Sequence, residues 1–394
     1  MDKPEAVIRE LEDSSGSAET RDARYASAER QGPHSLVVMY HYVHDPESGA
    51  AGTSGFTLRD EPRGLKPVAQ TEPANPRRLK PAAQLEPADP RGLRPTAPGT
   101  HGLTSQEFCA QLDRLCNTAE PIDWPTLYAW MCGRRSVPDR CFLLTFDDGL
   151  ADHAETVLPI LEERGLRGAF FVPGAVLTTQ RLLSAHAIHL LLSTLNEETL
   201  ERELLDYFTH HGNTDTDRMA SVDANLADAM YHYESPVRAR LKYLLNMVLP
   251  TDLRMAAVDV IFERHIGSPA RWAQHWYLSW DDLVRMESSG HTVGAHGHSH
   301  EPYSRLTPAQ RREDMNHIAD VLRNGLGPDI RPFSYPYGQF DDDTCTACCE
   351  AGFAHAFTTE RHWVTQGGDV FRLPRVDTID VEAMLEEEVA CTRT

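Results

Sequence analysis

Short, uninterrupted apolar runs alternate with segments of helical spacing along most of this chain. The runs are Ser35 to His41 (SLVVMYH), Cys141 to Phe146 (CFLLTF), Gly168 to Val172 (GAFFV), His291 to Ala295 (HTVGA), Pro332 to Tyr335 (PFSY), Ala354 to Thr358 (AHAFT) and Val370 to Leu373 (VFRL). Between them, Phe108 to Leu115, Ala154 to Arg164 with its Gly165 stop, Trp280 to Ser288, Pro308 to Asn324 and Asp341 to Ala351 carry the 3.6-residue period of helices. Apolar strands that alternate with helices predict an α/β protein whose parallel sheet is covered on both faces.

Two stretches break this rhythm. From 49 to 103 the chain is rich in Pro, Arg, Ala and Glu and repeats at a spacing of 14 residues, as RGLKPVAQTEPANP from Arg63, RRLKPAAQLEPADP from Arg77 and RGLRPTAPG from Arg91. Its prolines oppose both helices and ladders, so it reads as a duplicated linker, with a Pro-rich binding segment as the functional alternative. From 178 to 275 only helical runs appear, Arg181 to Leu195, Glu197 to His210 and Val237 to Val248 among them. Residues 1–33 are polar and aperiodic and predict a disordered tail. The remainder of 34–394 has the length of a small (β/α) barrel with a helical insert over one face.

Composition narrows the partners. A formal net charge of −21, from 38 Lys and Arg against 59 Asp and Glu, disfavours nucleic acid and anionic membranes as ligands. No apolar stretch resembling a signal peptide opens the chain, and no run of ~18 apolar residues occurs. The expectation is therefore a cytoplasmic protein without a membrane span. The eight cysteines follow no disulfide or zinc-ribbon spacing, and the Cys345/Cys348 pair on a predicted helix reads as small buried hydrophobes more readily than as a redox couple.

Three clusters of candidate chemistry fall just past predicted strand ends, where the loops of a barrel assemble active sites. In Thr145-Phe-Asp147-Asp148-Gly149, two adjacent carboxylates follow an apolar strand and demand a cationic partner, although an Asp there can also cap the next helix. In Gly294-Ala-His296-Gly-His298-Ser-His300, His296 and His300 converge if the chain turns helically, and neutral imidazoles are common ligands of zinc-like ions. Phe333-Ser-Tyr-Pro336-Tyr337-Gly338 predicts a tight turn that can present a backbone N–H to a ligand.

TFDDG, a later H-x-x-x-H and then Y-P-Y-G, with MYHYV upstream and RLPR downstream, together resemble the polysaccharide deacetylase family, typified by chitooligosaccharide and peptidoglycan deacetylases. The resemblance implies a distorted (β/α) barrel, often seven-stranded, and hydrolysis of an N-acetyl group on an amino sugar with a divalent metal, commonly zinc. Carried over by position, Asp148, His296 and His300 would be the metal ligands, Asp147 the general base and the Tyr337 N–H an oxyanion donor. Family members usually carry an Arg where this chain has Ser334, and it orients the catalytic Asp; Arg375, in Leu373-Pro-Arg375, is the candidate substitute because a guanidinium grips a carboxylate bidentately. The Leu-x-His motif that usually supplies the general acid is absent near the C-terminus, which leaves His41 as the candidate acid or substrate contact, against a packed strand histidine. Gly297 stands where Ser or Thr is common and leaves the bracing of its loop to neighbours such as Ser299.

An insert after the third strand would enclose the site and favour a small or terminal sugar. Arg181, His186, His189 and Trp276 are its residues that could reach a substrate, although helix histidines are more often packed or exposed. The leading expectation is de-N-acetylation of an intracellular glycan intermediate or a glycosylated small molecule. Hydrolysis of another C–N bond, in an imide or ureide, and a catalytically decayed glycan-binding protein are the alternatives.

Overall fold

The computed structural model describes residues 32–44, 102–179, 181–211, 222–231 and 233–391. Residues 1–31 and 45–101, which hold nearly all of the expected tail and the Pro-rich repeat, lie outside the described residues. Val43–His44 and Leu103–Thr104, on either side of the repeat, pair in parallel.

The seven strands of the main sheet path are β1 (His34–Tyr40), β2 (Arg140–Phe146), β3 (Gly168–Val172), β4 (Thr292–Ala295), β5 (Phe333–Ser334), β6 (Ala356–Phe357) and β7 (Val364–Thr365), in the order β7-β1-β2-β3-β4-β5-β6. All pairs from β1 to β6 are parallel, and β7 meets β1 antiparallel. β1, β2 and β3 are buried along nearly their whole length, as their unbroken apolar runs require. The sheet curls into the distorted barrel that the family resemblance implies. Val37, Cys141, Leu143, Ala169, Phe171, Phe357 and Leu373 share one cluster inside it. Leu36, Val38, Phe142, Leu144 and Phe170, on the opposite face, join the larger cluster with the surrounding helices.

The expected strand over Val370 to Leu373 does not form. Leu373 makes a single bridge to Phe357, and laddering resumes at Val376–Asp377, which pairs in parallel with Val38 and Met39 of β1. Pro374 between them has no N–H to donate, which interrupts the ladder. The segment nevertheless joins β6 to β1 and closes the curl.

Between β3 and β4 the chain is helical, as expected. Its helices include Ser184–Thr194, Glu197–His210, Ala224–Met230, Pro236–Tyr243, Thr251–His265 and Pro269–Trp276. The exit of this stretch is fixed to the loop after β2: Leu150 bridges Tyr277, the Ala151 N–H donates to the Trp276 carbonyl at 3.0 Å, and the Leu278 N–H donates to the Gly149 carbonyl at 2.8 Å. Among the described residues no helix is long and apolar enough to cross a membrane. Cys345 and Cys348 are free and buried on the Asp342–Glu350 helix, and burial pushes both thiols up, so the packed reading of that pair holds.

A buried carboxylate and imidazole cluster at the barrel rim

Parallel register delivers the candidate residues to one rim. Tyr40 lies opposite Phe146 and Phe146 opposite Phe170, so His41 and Asp147 follow neighbouring strand ends. Val172 pairs with Ala295 and Ala295 with Phe333, which brings His296 and Ser334 to the same level. The odd-numbered positions of β2, Cys141 and Leu143, face the barrel interior, and the same alternation carries Thr145 and Asp147 inward. Asp147 is 1% exposed, Asp148 5%, His296 2% and His300 8%.

Among the described residues, the three non-glycine residues with positive φ are Asp148 (76°), His300 (58°) and Tyr337 (58°). A left-handed residue other than Gly costs roughly 1–2 kcal/mol. Its concentration in these three loops marks a site where side-chain placement outweighs backbone comfort. The expected helical turn from His296 to His300 does not form. Gly297, with φ of 67°, and His300 bend the loop instead, and the two imidazoles still converge. A Cβ at Gly297 would come within 3.2 Å of Asp314 Oδ2, so this glycine serves a close approach. Asp314 accepts from the His298 and Ser299 N–H groups at 2.8 Å each and from the Tyr303 hydroxyl at 2.8 Å. It supplies most of the bracing that the sequence assigned to Ser299, whose hydroxyl takes only the Glu301 N–H at 3.3 Å. His298 points away and stacks on His317.

Asp148 Oδ1 lies 3.3 Å from His296 Nε2 and 3.1 Å from His300 Nε2, and one ligand atom from each of the three residues lies within 4.8 Å of the others. The proton count at His296 tests whether this group suits a cation. Its Nδ1 is 2.8 Å from the Ser334 carbonyl oxygen, which can only accept, so Nδ1 carries a proton and Nε2 is the atom that faces Asp148, as a lone pair when the ring is neutral. The carboxylate and Nε2 call for positive charge between them, from a bound cation or from a proton on Nε2; burial opposes that proton and Asp147 and Asp148 outweigh the burial. One carboxylate oxygen and two imidazole nitrogens are a donor set suited to zinc or a similar divalent ion, with coordination positions left open.

Asp147 stands beside this group, with Oδ2 3.9 Å from His296 Nε2. Arg375 donates from Nη1 to Asp147 Oδ1 at 2.8 Å and from Nη2 to Oδ2 at 2.7 Å, and the Ser334 hydroxyl donates to Oδ2 at 3.2 Å. The guanidinium is itself fixed by the Thr358 carbonyl at 2.9 Å and the Ser334 hydroxyl at 2.8 Å, and its cation lies over the Phe171 ring. Arg375 lies between the Leu373 bridge and the Val376–Asp377 ladder. It precedes Val376, which pairs with Val38, and reaches the rim from within the barrel by its length. Burial pushes the Asp147 carboxyl up, but Arg375 and then His296 outweigh it and bring it down to about 2. Burial likewise opposes ionisation of Asp148, and hydrogen bonds from His186, His296 and His300 hold it well below the usual carboxylate range.

His186, one of the insert residues expected to reach a substrate, instead contacts Asp148. Its Nε2 lies 3.0 Å from Asp148 Oδ2, and its Nδ1 lies 2.7 Å from the Tyr277 hydroxyl. The other insert candidates are placed elsewhere: Arg181 pairs with Asp259 at the surface, His189 meets the Tyr42 hydroxyl at 3.1 Å, and Trp276 packs on Tyr42 and Trp272. His41 follows β1, with its carbonyl accepting from His153 at 2.8 Å, and its ring is close enough to act on the charge of Asp147. Tyr337 lies against His300, ring centroids 5.3 Å apart, and its hydroxyl donates to Asn246 at 3.4 Å.

The fold and this rim define an α/β barrel with its polar groups at the carboxyl ends of parallel strands. The sequence profile of the polysaccharide deacetylase family matches residues 134–204 and 257–356, which include Asp147, Asp148, His296, His300 and Tyr337. The chain carries a polysaccharide deacetylase domain. No curated protein matches it in sequence. Similar solved structures include the Streptococcus pyogenes deacetylase PplD in complex with acetate, with a TM-score of 0.48, 12% identity, and coverage of 90% of this chain and 98% of that one. IcaB from Ammonifex degensii gives a TM-score of 0.48 at 16% identity, covering 90% and 97%. The BpsB deacetylase domain of Bordetella bronchiseptica gives 0.46 at 15%, covering 88% and 96%.

Proposed function

We propose that this protein is a metal-dependent hydrolase that removes the N-acetyl group from an amino sugar, with Asp148, His296 and His300 holding the ion. The observation that carries the reading is the buried convergence of Asp148, His296 and His300, one ligand atom of each within 4.8 Å of the others, a donor set that suits a cation. A divalent ion such as zinc, when bound, acidifies water and polarises a carbonyl. Asp147 stands beside that position and is the general base. Its Oδ1 takes one hydrogen bond, from Arg375, and keeps a lone pair for a proton from attacking water. A carboxyl held near 2 is a weak base, so its contribution rests on placement. The Tyr337 N–H, in its strained turn, is the donor for the developing oxyanion. His41, beside the same rim, gives a proton to the departing amine.

Burial of all four central side chains favours a small or terminal sugar over a long polymer, such as a glycan intermediate or a glycosylated small molecule. The test is metal content together with acetate release from a panel of N-acetylated sugars, with Asp147→Asn beside the unaltered protein. The expected result is about one metal per chain and a loss of activity of ~10²-fold or more in Asp147→Asn. Metal bound with no acetate released from any sugar, or full activity in Asp147→Asn, would overturn this assignment.

A further inference from the structure

We infer that His186, supplied by the helical stretch, is the positioning residue for Asp148, and that Tyr277 fixes the tautomer in which it does so. The inference rests on the reading of Asp148 as a metal ligand. His186 differs from His296 in a way that hydrogen-bond chemistry decides. Asp148 Oδ2 can only accept, so the His186 Nε2 at 3.0 Å is a donor. In the neutral ring Nδ1 then accepts from the Tyr277 hydroxyl at 2.7 Å, and that hydroxyl oxygen in turn accepts the Leu183 N–H at 2.9 Å. Every member of the chain from Leu183 through Tyr277 and His186 to Asp148 is satisfied with His186 neutral. His296 spends its Nδ1 proton on the Ser334 carbonyl and can offer Nε2 to a cation, whereas His186 turns its Nε2 proton toward Asp148 Oδ2. His186 also stands outside the compact group formed by Asp148, His296 and His300.

Asp148 needs such a hold. It sits at φ of 76° on a loop that leaves the barrel, and one carboxylate oxygen must face the two imidazoles. The helical stretch fixes that loop twice, through the backbone bridge of Leu150 with Tyr277 and through His186 on the carboxylate itself. It holds the other ligand loop as well: Arg254 pairs with Glu301, next to His300, and Thr251 donates to the same carboxylate at 3.1 Å. The helical stretch is thus a structural part of the ion site as well as its cover. A hydrogen bond that orients a metal ligand is commonly worth 10–100-fold in metal affinity.

The experiment measures Co²⁺ and Zn²⁺ affinity by chelator competition, and the Co²⁺ absorption spectrum, on the full chain and its His186→Leu, His186→Gln, His186→Asn and Tyr277→Phe variants. Gln can place an amide N–H where Nε2 stands, and Asn falls short of Asp148. The expected result is affinity about 10–100-fold weaker in His186→Leu and His186→Asn, recovery in His186→Gln with the unaltered Co²⁺ spectrum, and weakening in Tyr277→Phe. Should the leucine variant fail to fold, the Gln and Asn pair makes the same comparison. Equal affinity in Gln, Asn and the unaltered protein overturns the inference. So does a Co²⁺ spectrum in His186→Gln that signals a lost ligand, which would make His186 a direct ligand. An unaltered protein that binds neither ion sinks the metal-dependent reading itself, an outcome distinct from both.

Discussion

Arg375 grips both carboxylate oxygens of Asp147, at 2.8 and 2.7 Å, from 228 residues further along the chain. Neither partner is solvated: Arg375 and Asp147 are each 1% exposed. A pair this buried offsets its desolvation only by good geometry, and the Ser334 hydroxyl and Thr358 carbonyl supply the remaining hydrogen bonds.

Arg375→Lys keeps the charge but gives up the fork, so it tests orientation apart from electrostatics. We expect kcat for acetate release to fall ~10²-fold in Arg375→Lys, with metal content unchanged. Arg375→Met leaves Asp147 buried and uncompensated, and should lower stability by roughly 3–5 kcal/mol in chemical denaturation. Activity of Arg375→Lys equal to that of the unaltered protein would show that Asp147 needs no bidentate hold.

Much of this arrangement is legible in the sequence, for definite reasons. The runs over β1, β2 and β3 are unbroken because both faces of those strands are covered, and a run of that length has few alternatives. Asp147 and Asp148 announce a cationic partner because buried carboxylates cannot stand alone, and Ser334 in place of an arginine directs the search to Arg375. Three features escape. The strand at Val376–Asp377 is two residues long and follows a proline, too short to show a period. The bend from His296 to His300 depends on positive φ at His300, which no residue type but Gly announces. His186 lies in SAHAIHLLLST, an apolar helix in which a histidine reads as packing, and its partner is 38 residues away on another element.

Three buried histidines outside the ion site set the response to acid. Burial lowers His153, His291 and His355 from 6.5 to about 4. A folded chain that keeps these rings neutral has their full stability above 6.5, where the unfolded chain is also neutral. Below that pH the unfolded chain takes up protons that the folded chain refuses, so stability falls as pH drops from 6.5 toward 4. His355 alone should account for about 2 kcal/mol between neutral pH and pH 5. It packs against Trp124 and Tyr128, so Phe fits its surroundings. We expect His355→Phe to lose less stability than the unaltered protein over that interval in urea titrations. Parallel pH dependence in the two proteins would mean that the buried ring does not titrate in this range.

The loop carrying His296 and His300 stands or falls with Asp314. One carboxylate on the Pro308–Leu326 helix accepts from two consecutive backbone N–H groups and from the Tyr303 hydroxyl. Removing it strands the His298 and Ser299 donors, at roughly 1–3 kcal/mol for each that stays buried and unpaired. Asp314→Ala should therefore lower stability by about 2 kcal/mol or more and let the two imidazoles drift apart. Because metal affinity depends on their separation, chelator competition should show at least ~10-fold weaker Zn²⁺ binding in Asp314→Ala. Asp314→Asn keeps one acceptor oxygen and should fall between the two. If both variants bind Zn²⁺ like the unaltered protein while losing stability, Asp314 holds the fold and not the ligands, and the spacing of His296 and His300 is set by Gly297 and the strand register alone.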